Sequence, residues 1–191
     1  MTIKYIIRRW TSAAAVVFAA EELQRLLNKT GCNSFIEEKK SDIGPSDIVI
    51  NLIFLSDYQK FVSADHPVSI GKDGHTFMQS GNVSWIIANE PRAILYGVYQ
   101  YCQKKLGYRW VDLKEETFTK PTNTMRNSWT HEPPFARRGN VLETIYDPPY
   151  ISSLIDWGTK NGLNEFFFTF FLWEDVKDHI KEELVKRDLH V

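Results

Sequence analysis

Residues 89–112, NEPRAILYGVYQYCQKKLGYRWVD, constrain this chain more than any other stretch. They predict a strand end, a helix with Pro91 in its first turn, a stop at Gly107 and then a second strand. Ile94, Leu95, Val98, Tyr101, Cys102 and Leu106 fall on one face at helical spacing, so this helix must lie against an apolar layer. Gly97 stands mid-helix, where glycine costs about 1 kcal/mol relative to alanine. A close approach of the helix to a sheet accounts for it.

The rest of the chain supplies such a sheet. Residues 3–8, IKYIIR, predict a first strand, and Thr11 or Ser12 can cap the helix that follows. In that helix Val16, Ala20, Leu23 and Leu27 form a stripe, and Gly31 ends it. Asp47 to Leu55, DIVINLIFL, has the β-branched and apolar content of a strand buried on both faces. His75 to Ser80 and Val83 to Ala88 predict a hairpin about Gly81-Asn82, and residues 108–112 a closing strand. Residues 1–113 therefore read as an α/β domain, a mixed β-sheet packed with helices.

Residues 114–134 are polar, carry three prolines and lack periodicity, as a linker or wrapping loop would. Residues 135–191 begin a new rhythm. Ala136 to Leu142 predicts a strand, Tyr150 to Lys160 a helix, Glu165 to Leu172 a strand, Glu174 to Arg187 a helix, and Leu189 to Val191 the start of a third strand. This is the opening of a (β/α) barrel. A complete barrel takes about 250 residues, so the segment is an incomplete one.

With 43% hydrophobic and 14% aromatic residues, the 191-residue chain has the means to build a core. A net charge of −1, with the basic residues dispersed, gives no electrostatic footprint for nucleic acid or an anionic membrane. Carbohydrate is an uncharged partner that this composition leaves open. No stretch approaches the ~20 apolar residues that span a bilayer. Arg8-Arg9, Trp10 and the run AAAVVFAA imitate a twin-arginine export signal, but IKYII reads as a strand and the run continues helically into EELQRLLNKTG. Cys32 and Cys102 match no metal spacing and no disulfide framework, so both are expected as buried thiols in a reducing cytoplasm. No metal or cofactor is implied.

Three motifs carry a family resemblance. AAEELQRLLNKTG (19–31) is similar to a helix of the non-catalytic amino-terminal α/β domain that precedes the barrel in several glycoside hydrolases. The best-known are the family 67 α-glucuronidases and family 20 β-hexosaminidases. ANEPRAILYGVYQYCQKKLGYRWVD (88–112) resembles the last helix and strand of that domain. PPFARRGNVLET (133–144) resembles the lead into barrel strand one of the β-hexosaminidases. The resemblance implies that Arg138 hydrogen-bonds hydroxyls of a terminal sugar, a role suited to its planar fork, and that Glu143 stands near the mouth of the strand. The alternative for Arg138 is a rim arginine paired with Glu143 or solvated. The likeness then fails: after GLN (162–164), Phe167 and Thr169 stand where hexosaminidases place two histidines. That departure favours a more distant relative, with α-glucuronidase-like enzymes nearer.

In the run EFFFTFFLWED (165–175), the aromatic residues suit a strand buried on both faces, or a sugar-stacking platform. Trp173, at the carboxyl end of that strand, is the stacking candidate. Hydrolysis needs two carboxyl groups, about 5–5.5 Å or ~6.5–9.5 Å apart by mechanism. In the related families both come from later strands, so no catalytic residue is assigned here. Glu174 and Asp175 suit the first turn of the next helix. His179 and Glu183 make two ligands without a third, GKDGH (71–75) is too short for a phosphate loop, and no GxSxG elbow occurs. Two readings remain. One is the non-catalytic amino-terminal portion of a glycoside hydrolase-like protein, inactive by itself. The other is a stand-alone carbohydrate- or protein-binding module that completes its sheet by oligomerising through residues 136–191.

Overall fold

The computed structural model describes residues 4–37, 44–61, 68–119 and 127–191. Ile3 of the predicted first strand and residues 120–126 of the polar stretch lie outside them. The chain opens with β1 (Lys4–Arg9), α1 (Ala14–Lys29), β2 (Asn33–Glu37), β3 (Ile48–Phe54) and α2 (Leu55–Phe61). The hairpin β4 (His75–Ser80) and β5 (Val83–Ala88) leads into α3 (Pro91–Tyr101), extended by a π-helical turn at Cys102–Leu106. Gly107 stops it with φ +80°. Next come β6 (Tyr108–Arg109), β7 (Thr117–Phe118) and β8 (Ser128–His131). The chain ends with β9 (Gly139–Leu142), α4 (Pro148–Lys160), β10 (Glu165–Phe168) and α5 (Phe170–Val185).

Six strands form a mixed sheet in the order β2-β1-β3-β5-β4-β8, parallel from β2 to β5 and antiparallel from there to β8. α1 and α3 bury one face of it, against Ile7, Ile50, Leu52, Phe77 and Ile86. α2 covers part of the other with Tyr58, against Ile53 and Ile87. β3 is thus buried on both sides, as its composition requires. A methyl group at Gly97 would lie 2.5 Å from Ile86 Cγ2 and 3.4 Å from the His75 ring, so α3 reaches β5 at a distance only glycine permits.

Several expectations change. Neither Thr11 nor Ser12 caps α1: Ala13 stands at the cap, and Thr11 Oγ1 accepts from the Ala13 N–H. β2 and α2 carry no strong periodic signal and are additions. The stretch 114–134 is more than a linker, because β7 pairs with β6 and β8 adds an edge strand to the main sheet. The aromatic strand ends at Phe168, not Leu172. Leu172, Val176, Ile180 and Leu184 are all buried at helical spacing, and this stripe draws Phe170–Trp173 into α5 despite their β preference. Trp173 therefore sits in the first turn of a helix, Glu174 and Asp175 fall beyond that turn, and Glu174 pairs with Lys177.

β9 and β10 pair in parallel, with Asn140 opposite Phe166, Val141 opposite Phe167 and Leu142 opposite Phe168. Leu142, Phe166 and Phe168 point into a core shared with Ile151 and Ile155 of α4 and the buried stripe of α5. On the opposite face Val141 and Phe167 are 65% and 53% exposed. The third strand expected at residues 189–191 is a single parallel bridge, His190 to Glu165.

Candidate functional site

The loop before β4, GKDG (71–74), carries the aspartate around which the two parts of the chain are joined. Asp73 Oδ1 accepts from Arg92 Nε at 2.7 Å, and its Oδ2 accepts from Asn164 Nδ2 at 2.7 Å and Arg138 Nη2 at 3.1 Å. The side chains of Asp73 and Arg92 are only 6% and 4% exposed. Arg92 Nη1 reaches the Asp188 carbonyl at 3.1 Å and His190 Nε2 at 2.7 Å. Asn164 also donates to the Ala136 carbonyl and accepts from the Arg138 N–H. Tyr96 of α3 adds a bond from its hydroxyl to the Leu163 carbonyl at 2.8 Å. Burial alone would raise the Asp73 pKa, but the donors Arg92, Asn164 and Arg138 outweigh it and hold the carboxyl below the usual range.

Arg138 belongs to this network. Its Nε donates to the Gly162 carbonyl at 2.8 Å, Nη1 to the Phe135 carbonyl at 2.6 Å and Nη2 to Asp73, with the guanidinium 5.8 Å over the Tyr96 ring. It is neither solvated nor paired with Glu143, because it precedes β9 whereas Glu143 follows it. In β/α architecture the amino-terminal ends of strands serve stability and the carboxyl ends carry chemistry. Each nitrogen of the guanidinium is engaged within the protein, which competes with the sugar-binding role the resemblance implied.

Glu143 is exposed at the carboxyl end, where its carbonyl accepts from Thr169 Oγ1 at 3.1 Å. Trp173 is half-buried at that same end of the strand pair, its ring 5.6 Å from that of Phe168. The structure thus brings Glu143 and Trp173 to one end and Arg138 to the other. Glu165, at the amino-terminal end of β10, is bound by Arg137 Nε at 2.7 Å. Glu183 pairs with Lys186 and Arg187 rather than with His179, which is exposed. Cys102 is buried and its thiol is pushed up by burial, whereas Cys32 is only half-buried.

A second seam joins α1 to α4 and α5. Arg187, with a side chain 3% exposed, bonds Asp156 at 2.7 Å and lies 4.6 Å over the Phe18 ring. Glu116 accepts from Arg25, Lys29 and Trp110, and its carboxyl is held far below the usual range. The cleft along this seam measures about 480 Å³, but Arg187 and Lys186 cover Phe18, and Tyr108 stacks on Trp110. The charges of Arg25, Glu116, Asp156 and Arg187 and these ring faces are used within the protein.

Sequence reasoning missed Asp73, Arg92, Asn164 and His190. Arg92 left a signal. It falls in the first turn of a helix whose surroundings are apolar, and a buried charge requires a partner. Nothing local indicated which partner.

No protein-family model and no curated protein matches the chain. Its fold is that of parts of glycoside hydrolases. A family GH115 4-O-methyl-α-glucuronidase with specificity for decorated arabinogalactans matches 97% of this chain at TM-score 0.63 and 12% identity. A family GH138 enzyme targeting pectin rhamnogalacturonan II matches 97% at TM-score 0.61 and 12% identity. The Streptomyces plicatus β-hexosaminidase matches 96% at TM-score 0.61 and 12% identity. The chain spans 28%, 30% and 40% of those proteins respectively. The resemblance to α-glucuronidases and β-hexosaminidases therefore holds for the fold. Among the described residues, no helix is long and apolar enough to cross a membrane.

Proposed function

We propose that this chain is the non-catalytic amino-terminal portion of a glycoside hydrolase-like protein, in which the six-stranded unit carries the start of a catalytic barrel. The observation behind this reading is the two-faced β9–β10 pair. One face packs on α4 and α5, as the outside of a barrel does, while Val141 and Phe167 stand in register and uncovered on the other. Further β/α units would enclose that face. The fold neighbours support the reading because each is a much longer glycoside hydrolase that this chain matches over nearly its whole length. At the carboxyl end of the strands this reading offers Glu143 to a sugar, while Trp173 packs at the edge of the α4–α5 core and offers at most its exposed rim. Two free cysteines accord with a reducing, cytoplasmic setting.

The purified chain should turn over neither aryl β-N-acetylglucosaminides nor aryl or aldobiuronic α-glucuronides, and the reading frame beyond Val191 should continue into alternating strands and helices. Robust turnover by the chain alone would refute the proposal. The same exposed Val141–Phe167 pair favours a second reading, a stand-alone binding module that pairs two copies through residues 136–191. Light scattering after size exclusion separates them, since only the module reading requires a dimer.

A further inference from the structure

Between α3, β8 and the α4–β10 loop lies a cavity of about 170 Å³, walled by His75, Gln100, Gln103, His131 and Asn161 and floored by the Asp73–Arg138 pair. Its charged groups are already neutralised. Asp73 is saturated by its three donors, Arg138 is bound on each nitrogen, and Lys160 bonds Asp156 at 2.6 Å. What remains open is neutral. Gln103 and His131 make no side-chain hydrogen bond among the described residues, and the Gln100 amide is engaged only through its oxygen, at 3.2 Å from His75 Nε2. That oxygen can only accept, so the His75 proton sits on Nε2 and Nδ1 is a bare acceptor. His75 is 2% exposed and its Nδ1 is closed to solvent, so the groups a ligand can reach are the side chains of Gln100, Gln103, His131 and Asn161.

We propose that this cavity binds a small neutral polyol with the size and chemistry of a single sugar ring. Amides and imidazoles both donate and accept, which is the pattern hydroxyl groups require. The volume of about 170 Å³ equals about six waters at roughly 30 Å³ each and lies below the roughly 300–1,000 Å³ of drug-sized pockets, so one ring is the most it can take. The spent charges remove any demand for an ionic ligand. The site lies at the amino-terminal ends of β9 and β10, away from Glu143 and Trp173, so it is separate from the sugar-facing end proposed above and does not depend on that reading.

Titration of ¹⁵N-labelled chain with D-glucose, D-xylose and N-acetylglucosamine, and with D-glucuronate as the anionic counterpart, tests the inference by amide and side-chain shifts. Saturable changes confined to Gln100, Gln103, His131 and Asn161 are expected for at least one neutral sugar, and weaker binding for glucuronate. A Gln103→Ala, His131→Phe double variant, changed at the accessible wall, should weaken that binding roughly fivefold or more, the loss for two neutral hydrogen bonds. No saturating response to any neutral sugar, shifts centred on Glu143 and Trp173, tighter binding of glucuronate, or an unchanged variant would each overturn the site. Should the variant fail to fold, the shift map and the preference for neutral ligands decide alone. Failure here leaves the glycoside hydrolase reading untouched, because that rests on turnover and on the continuation of the reading frame.

Discussion

Asparagine at position 73 keeps the shape of aspartate and removes the charge that two guanidinium groups share. Arg92 Nε at 2.7 Å and Arg138 Nη2 at 3.1 Å would then face a neutral amide, with side chains only 4% and 13% exposed. Removing one partner of a buried ion pair costs about 3–5 kcal/mol, chiefly because the remaining charge stays desolvated. In a chain of this length each kcal/mol lowers the melting temperature by roughly 2–4 °C, so Asp73→Asn should lose about 6–20 °C. Calorimetry or circular dichroism at neutral pH measures it. The adjacent Arg137 provides the control, because its pair with Glu165 is exposed and Arg137→Met should leave the melting temperature nearly unchanged. A double-mutant cycle adds Arg138→Met, which should cost less in the Asp73→Asn background than in the wild type, by roughly 1–3 kcal/mol. If Asp73→Asn melts within the range of the Arg137 control, or if the two substitutions are additive, the hub does not join the parts of the chain as argued.

Other outcomes follow from the same structure. Gly97→Ala should destabilise by about 1 kcal/mol in denaturant unfolding, because overpacking against Ile86 (about 1–3 kcal/mol) exceeds the helix propensity gained (about 1 kcal/mol). Burial and the neighbouring His131 lower the His75 pKa to about 3, so between that value and about 6.5 the unfolded chain binds the extra proton. Stability should therefore fall as pH drops from 6.5, by at most about 1.4 kcal/mol per unit of pH for this group, and His75→Gln should flatten that slope in melting curves recorded across the range. Asp73, Asp156 and Glu183, all held below their ordinary values, contribute stability above the usual carboxylate range and lose it only at lower pH. Val141→Lys with Phe167→Lys should leave the melting temperature close to wild type, and should abolish any concentration-dependent self-association seen by light scattering.

What could be read from the sequence divides along physical lines. The α3 stretch and β3 announced themselves because burial imposes a period, or a continuous apolar run, on residues that are neighbours in the chain. β2, NSFIE, does not alternate between apolar and polar residues, and α2, with seven residues, spans too few turns to show a stripe. β8 was hidden in a polar stretch because an edge strand is held by backbone bonds and tolerates polar side chains such as Ser128 and His131. Trp173 was misplaced because FFFTFFLW satisfies strand propensity, while the stripe from Leu172 to Leu184 that overrides it emerges only over several turns. Arg138 could be singled out from its motif, but its partner Asp73 lies 65 residues earlier, and no local pattern encodes that pairing.

The hub also explains why an accessory unit of this kind would stay with the barrel start rather than swing on a tether. Asp73, Arg92 and Tyr96 come from the six-stranded unit; Arg138, Leu163, Asn164 and His190 come from the β9–β10 unit, and every bond between them converges on the amino-terminal ends of the strands. Arg187 over Phe18 adds a second attachment on the helical side. Two separated fixings remove the hinge freedom that a single linker would leave. They also leave the carboxyl ends of β9 and β10, with Glu143 and Trp173, outside the seam. A sheet unit clamped to the stability end of a strand pair can order that pair without crowding the end at which chemistry would occur, and this division of labour makes a supporting role for residues 4–119 physically sensible.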